Sequence, residues 1–148
     1  MRGFTLLELI IVIAIILIGA ATAAPFVGQW PWRVAATTAR DELVQDLRLA
    51  QQRAVGGWQA QNQGLKLFAD HYVLFVGADY NSRQTADDME RKINKDLQLS
   101  WQLTGTGAAD EIIWPAGSAV PNRLGKLVLT DKTGAQVNII INSLGAID

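Results

Sequence analysis

The chain has 148 residues, 49% hydrophobic and 18% charged, with 13 Lys and Arg against 14 Asp and Glu for a formal net charge of −1. The basic residues are scattered, which argues against an extended basic face for nucleic acid, and the absence of cysteine rules out disulfides and a thiol nucleophile. The length suits one globular head of about 90 to 115 residues beside an N-terminal extension, not two domains.

Phe4 to Ala24 is an apolar run broken by a single carboxylate, Glu8. As a helix it spans about 30 Å, the thickness of a bilayer's hydrocarbon core, so it reads as a transmembrane segment. Each large apolar residue favours insertion by about 0.3 to 0.6 kcal/mol, against about 2.5 to 3.5 for one acidic residue at mid-membrane. Insertion therefore wins despite Glu8. The competing reading is a secretory signal peptide cleaved near Ala20 to Ala24; the apolar length, the single basic residue Arg2 and the internal acid stand against it. Pro25 lacks an amide donor, so a kink or local unwinding is expected there. Trp30-Pro31-Trp32 follows, its indoles placed either to sit at headgroup depth or to pack the join between stalk and head.

From Arg33 to Val55 helical spacing returns, with Leu43, Leu47, Ala50 and Ala54 on one stripe, Val44 and Val55 beside it, and Arg40, Asp41, Asp46, Arg48 and Arg53 elsewhere. Gly56-Gly57 supplies the stop. Beyond it the chain reads as strands. Gly64 to Ala69 and Tyr72 to Gly77 form an expected hairpin about Asp70-His71, and Leu97, Leu99, Trp101 and Leu103 alternate with polar residues as a half-buried strand does. Leu124 to Leu129 and Gln136 to Asn142 flank Asp131-Lys132-Thr133-Gly134, a second hairpin. Ser143 to Asp148 is expected to close the domain as a short strand. Asp79 to Lys95 is a polar insertion, read as a short helix or a loop.

Catalytic chemistry finds little to work with. His71 is the one histidine and reads as a polar turn residue, and no serine sits in a nucleophile elbow. Gly105-Thr106-Gly107 lacks the third glycine and flanking elements of a dinucleotide loop. Asp79, Asn81, Asp87 and Asp88 do not follow the spacing of an EF-hand and read as a solvated loop. No cofactor or metal is expected.

Gly3-Phe4-Thr5-Leu6-Leu7-Glu8 resembles the processing site of class III signal sequences, as in type IV pilins and the pseudopilins of type II secretion systems. The resemblance implies that a prepilin peptidase cuts between Gly3 and Phe4 and methylates the new Phe4 amine. Glu8 then becomes the fifth and Pro25 the twenty-second residue of the mature chain, where the family carries these residue types. It also implies that Glu8 pairs with the Phe4 amine of a neighbouring subunit, because either charge buried alone costs several kcal/mol.

Leu43 to Val55, Ile112 to Gly117 and Asn138 to Ile147 are similar to segments of the H-type minor pseudopilins and their FimT/FimU-like minor pilin relatives. The implied fold is α+β and pilin-like: a long N-terminal helix packed on an antiparallel β-sheet head. Its parts are a leader at 1–3, a transmembrane and assembly helix at 4–25, a periplasmic stalk helix at 26–57 and a head at 58–148. The implied role is a minor pseudopilin, a structural subunit and not an enzyme, with a type IV minor pilin or a membrane-anchored binding domain as alternatives. Implied partners are the prepilin peptidase, other pilin or pseudopilin subunits, the inner-membrane assembly platform and membrane lipid, with nucleic acid not expected. The implied location is the inner membrane, single-pass, with a cytoplasmic N-terminus, a periplasmic or extracellular head, and later a filament. The three-residue leader is shorter than many in the family, which leaves an upstream start open.

Overall fold

The computed structural model describes residues 6–27 and 30–148, and the side chains of 6–21 and 34–148. The chain divides into two units, Met1–Val34 and Ala35–Asp148. The first holds helix α1, Leu6–Val27, built mainly of Ile, Leu and Ala with one acid, Glu8, in the first turn. The helical path continues past Pro25 to Val27. A second helix, α2, runs Trp30–Val55 with Pro31 in its first turn, where a missing amide costs no intrahelical bond. The helix is thus continuous through Pro25, while the placement of the Trp30 and Trp32 indoles lies outside the described side chains.

In the second unit α2 buries Leu43, Val44, Leu47, Ala50 and Ala54, the expected stripe. Val55, expected beside it, is exposed. The helix stops where Gly57 turns to φ 64°, a left-handed conformation that glycine adopts freely.

Seven strands follow: β1 (Gln63–Leu67), β2 (His71–Val76), β3 (Met89–Lys92), β4 (Leu97–Gly105), β5 (Glu111–Trp114), β6 (Arg123–Asp131) and β7 (Gln136–Ile141). They form two antiparallel sheets where one was expected, ordered β3-β2-β1-β5 and β4-β6-β7. The hairpin β1–β2 pairs Leu67 with Tyr72, and β6–β7 pairs Thr130 with Gln136. In β4 Leu97 and Leu99 are buried while Gln98, Ser100, Gln102 and Thr104 are exposed, the alternation expected of a strand with one covered face. One core joins the helix stripe to both sheets through Leu65, Leu67, Leu74, Ile112 and Trp114 on one side and Leu99, Leu127, Leu129, Ile139 and Ile141 on the other.

Two expectations are corrected. The 79–95 insertion is neither a helix nor a plain loop: after a single 3-10 turn at Thr85–Asp87 it supplies β3, which pairs with β2. The C-terminal strand reduces to an isolated bridge between Ile141 and Ile147, because Asn142 turns the chain with its side-chain oxygen on the Leu144 and Ala146 amides.

Candidate functional site

Eleven large apolar side chains of α1 are exposed: Leu6, Leu7, Leu9 to Ile13 and Ile15 to Ile18, from 44% at Val12 to 77% at Leu6. Successive helical residues are rotated by about 100°, so this set covers every side of the helix. A helix apolar all round belongs inside something else, either protein or lipid. Glu8 stands among these residues in the first turn, where its charge suits the positive end of the helix. Gly3 and Phe4, the expected cleavage and methylation residues, lie outside the described residues. No helix among the described residues is long and apolar enough to cross a membrane. The stretch with described side chains, residues 6–21, rises only about 24 Å, and the expected span from Phe4 to Ala24 passes it at both ends.

Several polar groups of the head that the sequence singled out are engaged in holding the fold. His71 stacks on Phe68 at 4.2 Å and shares a 2.7 Å hydrogen bond with Asp70, which holds the Asp70 carboxyl below its ordinary range. Asp79 accepts the amides of Asn81 and Ser82, and Asp88 accepts Arg83 Nε at 2.7 Å. These two carboxylates of the insertion are thus turned to their own loop. Among the described residues no three His, Cys, Asp or Glu converge as a metal would need.

Two polar clusters escaped the sequence. Asp46, read as lying off the apolar stripe of α2, is buried, accepting the Tyr72 hydroxyl at 2.9 Å and Arg91 Nε at 3.3 Å. Burial, then the Asp46 charge, pushes the Tyr72 phenol far up, so it remains a donor. Beside this pair an open recess of about 310 Å³ is lined by Glu42, Gln45, Asp46 and Arg91. The second cluster lies on the outer face of the first sheet, where Lys66 bridges Asp110 at 2.8 Å and Glu111 at 3.2 Å. Burial opposes the Lys66 charge, yet the two carboxylates raise its pKa overall. Period and spacing carry one clue: Asp46 is three residues after Leu43 and adjacent to Leu47, close to the buried stripe.

Comparison with protein families matches residues 1–24 to the prokaryotic N-terminal methylation motif. Among solved structures, the minor pseudopilin EpsH from the type 2 secretion system of Vibrio cholerae superposes with a TM-score of 0.60 at 16% identity, over 76% of this chain and 94% of that one. A second structure of EpsH gives 0.60 at 18% identity, over 77% and 92%. No curated protein matches the sequence. At such identities the likeness is one of fold. The chain thus joins a prepilin-type methylation motif to an α+β, pilin-like fold of the minor pseudopilin kind.

Proposed function

We propose that this chain is a minor pseudopilin, a structural subunit of a type II secretion pseudopilus. Prepilin peptidase removes residues 1–3 and methylates Phe4. The segment 4–25 then spans the inner membrane once, N-terminus cytoplasmic and head periplasmic, until the assembly platform draws it into a filament. Residues 26–57 serve as stalk and 58–148 as the head on the filament surface.

The observation that carries this reading is α1 itself, with apolar side chains exposed on every side. Fully burying one Leu or Ile is worth about 1.5 to 3 kcal/mol, so covering eleven of them drives association on the order of 10 kcal/mol or more. Lipid satisfies that before assembly and neighbouring helices afterwards. Glu8 is the costly exception in either setting, and the Phe4 ammonium of the adjacent subunit offsets it by direct pairing. The methylation motif serves type IV minor pilins equally; the EpsH-like fold favours the secretion pseudopilus.

Glu8→Ala tests the pairing. The variant is expected to insert into membranes at wild-type level and to fall at least tenfold in the sheared filament fraction. Incorporation at wild-type level would show that Glu8 has no such partner. A chain that inserts but is never found in filaments, with Glu8 intact, would mark a membrane-anchored binding domain instead.

A further inference from the structure

The two sheets have four edge strands, β3 and β5 on one and β4 and β7 on the other. Three are met by the chain itself. β5 meets Asn122, whose side-chain oxygen accepts the Ile113 amide at 2.8 Å while its own amide donates to the Ile113 carbonyl at 2.8 Å. β4 meets the Ala69 carbonyl at Leu99 and the buried Arg123 guanidinium at Leu103. β7 meets the chain end, Ile140 and Asp148 exchanging both backbone bonds at 2.9 and 3.0 Å.

β3 is the exception. The Ile93 amide donates to the Asp70 carbonyl at 2.9 Å, on the β2 side, and the two-residue period turns the main-chain groups of Met89 and Arg91 to that side too. The N–H and C=O of Glu90 and Lys92 therefore point outward, and among the described residues nothing hydrogen-bonds to them. Glu90, Arg91 and Lys92 are all exposed, and charges on an edge normally repel a foreign strand. Their order is nevertheless self-complementary. In an antiparallel pairing about Arg91, Glu90 lies opposite Lys92 of the second strand and Lys92 opposite Glu90.

We propose that β3 is a pairing edge for β3 of a second copy of this chain, antiparallel and centred on Arg91. On each side of the centre Glu90 of one copy and Lys92 of the other exchange main-chain bonds, about four in all, and their side chains form an opposite-charge pair. Sliding the strands by two residues sets Glu90 against Glu90 or Lys92 against Lys92, and sliding by one sets outward groups against inward ones. Charge and hydrogen bonding thus select one register. The two opposed Arg91 side chains are the like-charge contact, and acids on α2 offset it. Arg91 Nε already lies 3.3 Å from Asp46, and Glu42, one turn earlier, lines the same open recess of about 310 Å³ with no hydrogen bond or ion pair among the described residues. Opposed residues share a face, so Arg91 of the other copy arrives at the mouth of this recess beside Glu42. A contact this small falls below the roughly 1,200 Å² of a stable complex, so the dimer is weak and is best seen by trapping.

The chain has no cysteine, so introduced thiols report cleanly. Full-length Glu90→Cys and Lys92→Cys proteins are mixed in detergent micelles and gently oxidised; both side chains are exposed, so neither substitution disturbs the core. Opposed residues have Cβ atoms about 4.5 to 5.5 Å apart, within disulfide reach, and the mixed pair keeps one Glu90 to Lys92 ion pair on its other side. The mixed 90–92 disulfide is expected to form at least tenfold faster than 90–90, 92–92 or any pairing of Lys95→Cys, an exposed residue beyond the edge. Adding Lys92→Glu to the Glu90→Cys chain turns the retained ion pair into Glu against Glu and should slow the mixed disulfide at least tenfold. Equal rates for all pairings, or a mixed rate indifferent to Lys92→Glu, would overturn the proposal.

Discussion

Asp46 and Tyr72 hold α2 to the first sheet through a buried 2.9 Å hydrogen bond, with Arg91 on the same carboxylate oxygen. Asp46→Ala strands a buried phenol without its acceptor and is expected to cost about 1 to 3 kcal/mol. Tyr72→Phe leaves Asp46 its Arg91 contact and is expected to cost less, about 0.5 to 1.5 kcal/mol. Urea unfolding of both variants checks the order. Asp131 is a second test. Burial pushes its carboxyl upward, but hydrogen bonds from the Thr133 hydroxyl and the Ala135 and Thr133 amides hold it below its ordinary 3.8. A carboxyl lowered in the fold binds protons less readily than in the unfolded chain. Its stabilisation is therefore complete above about pH 4 and lost as pH falls through the lower folded value. Unfolding midpoints measured from pH 6 to pH 2 should drop over that acidic range, and Asp131→Asn should flatten the drop. Such roles are hard to read from sequence, because Asp46 and Asp131 carry the same side chain as the exposed Asp41. Only the tertiary partner distinguishes them.

At the scale of elements, the stretches with strong periodicity were legible. The stripe Leu43, Leu47, Ala50 and Ala54 and the alternation of Leu97 to Leu103 each fix which side an element buries, and both hairpins carry turn residues between β-formers. β3 has no such signal: Met89-Glu90-Arg91-Lys92 is strand only because it pairs along β2. The loop leading to it works by tertiary contact as well. Tyr80 lies edge-on to Phe75 at 5.6 Å, with the Arg83 guanidinium 3.7 Å above its ring. Tyr80→Ala uncovers the outer face of the first sheet and should destabilise by about 1 to 3 kcal/mol in the same urea assay. Gly64→Val places its branched side chain against the Phe75 ring and should cost about as much, through overpacking. The two-sheet arrangement was not legible, since alternation says which face of a strand is buried but not which strands share a sheet.

For the molecule as a whole, the methylation motif over residues 1–24 and the EpsH-like fold are consistent with each other. Here the sequence was most informative where it breaks a rule: one carboxylate in an apolar run, at a fixed distance from a glycine-phenylalanine pair. The head, by contrast, directs its polar groups to its own architecture, through Lys66 between two acids and Asp46 between Tyr72 and Arg91. The intact mass of the protein extracted from host membranes decides whether the N-terminus is processed as an assembly subunit requires. A mass lacking Met1 to Gly3 and carrying one added methyl group is expected, and it should revert to the unprocessed value when the prepilin peptidase is absent. A chain that still begins at Met1 with the peptidase present, or one cut near Ala24, would contradict the assignment.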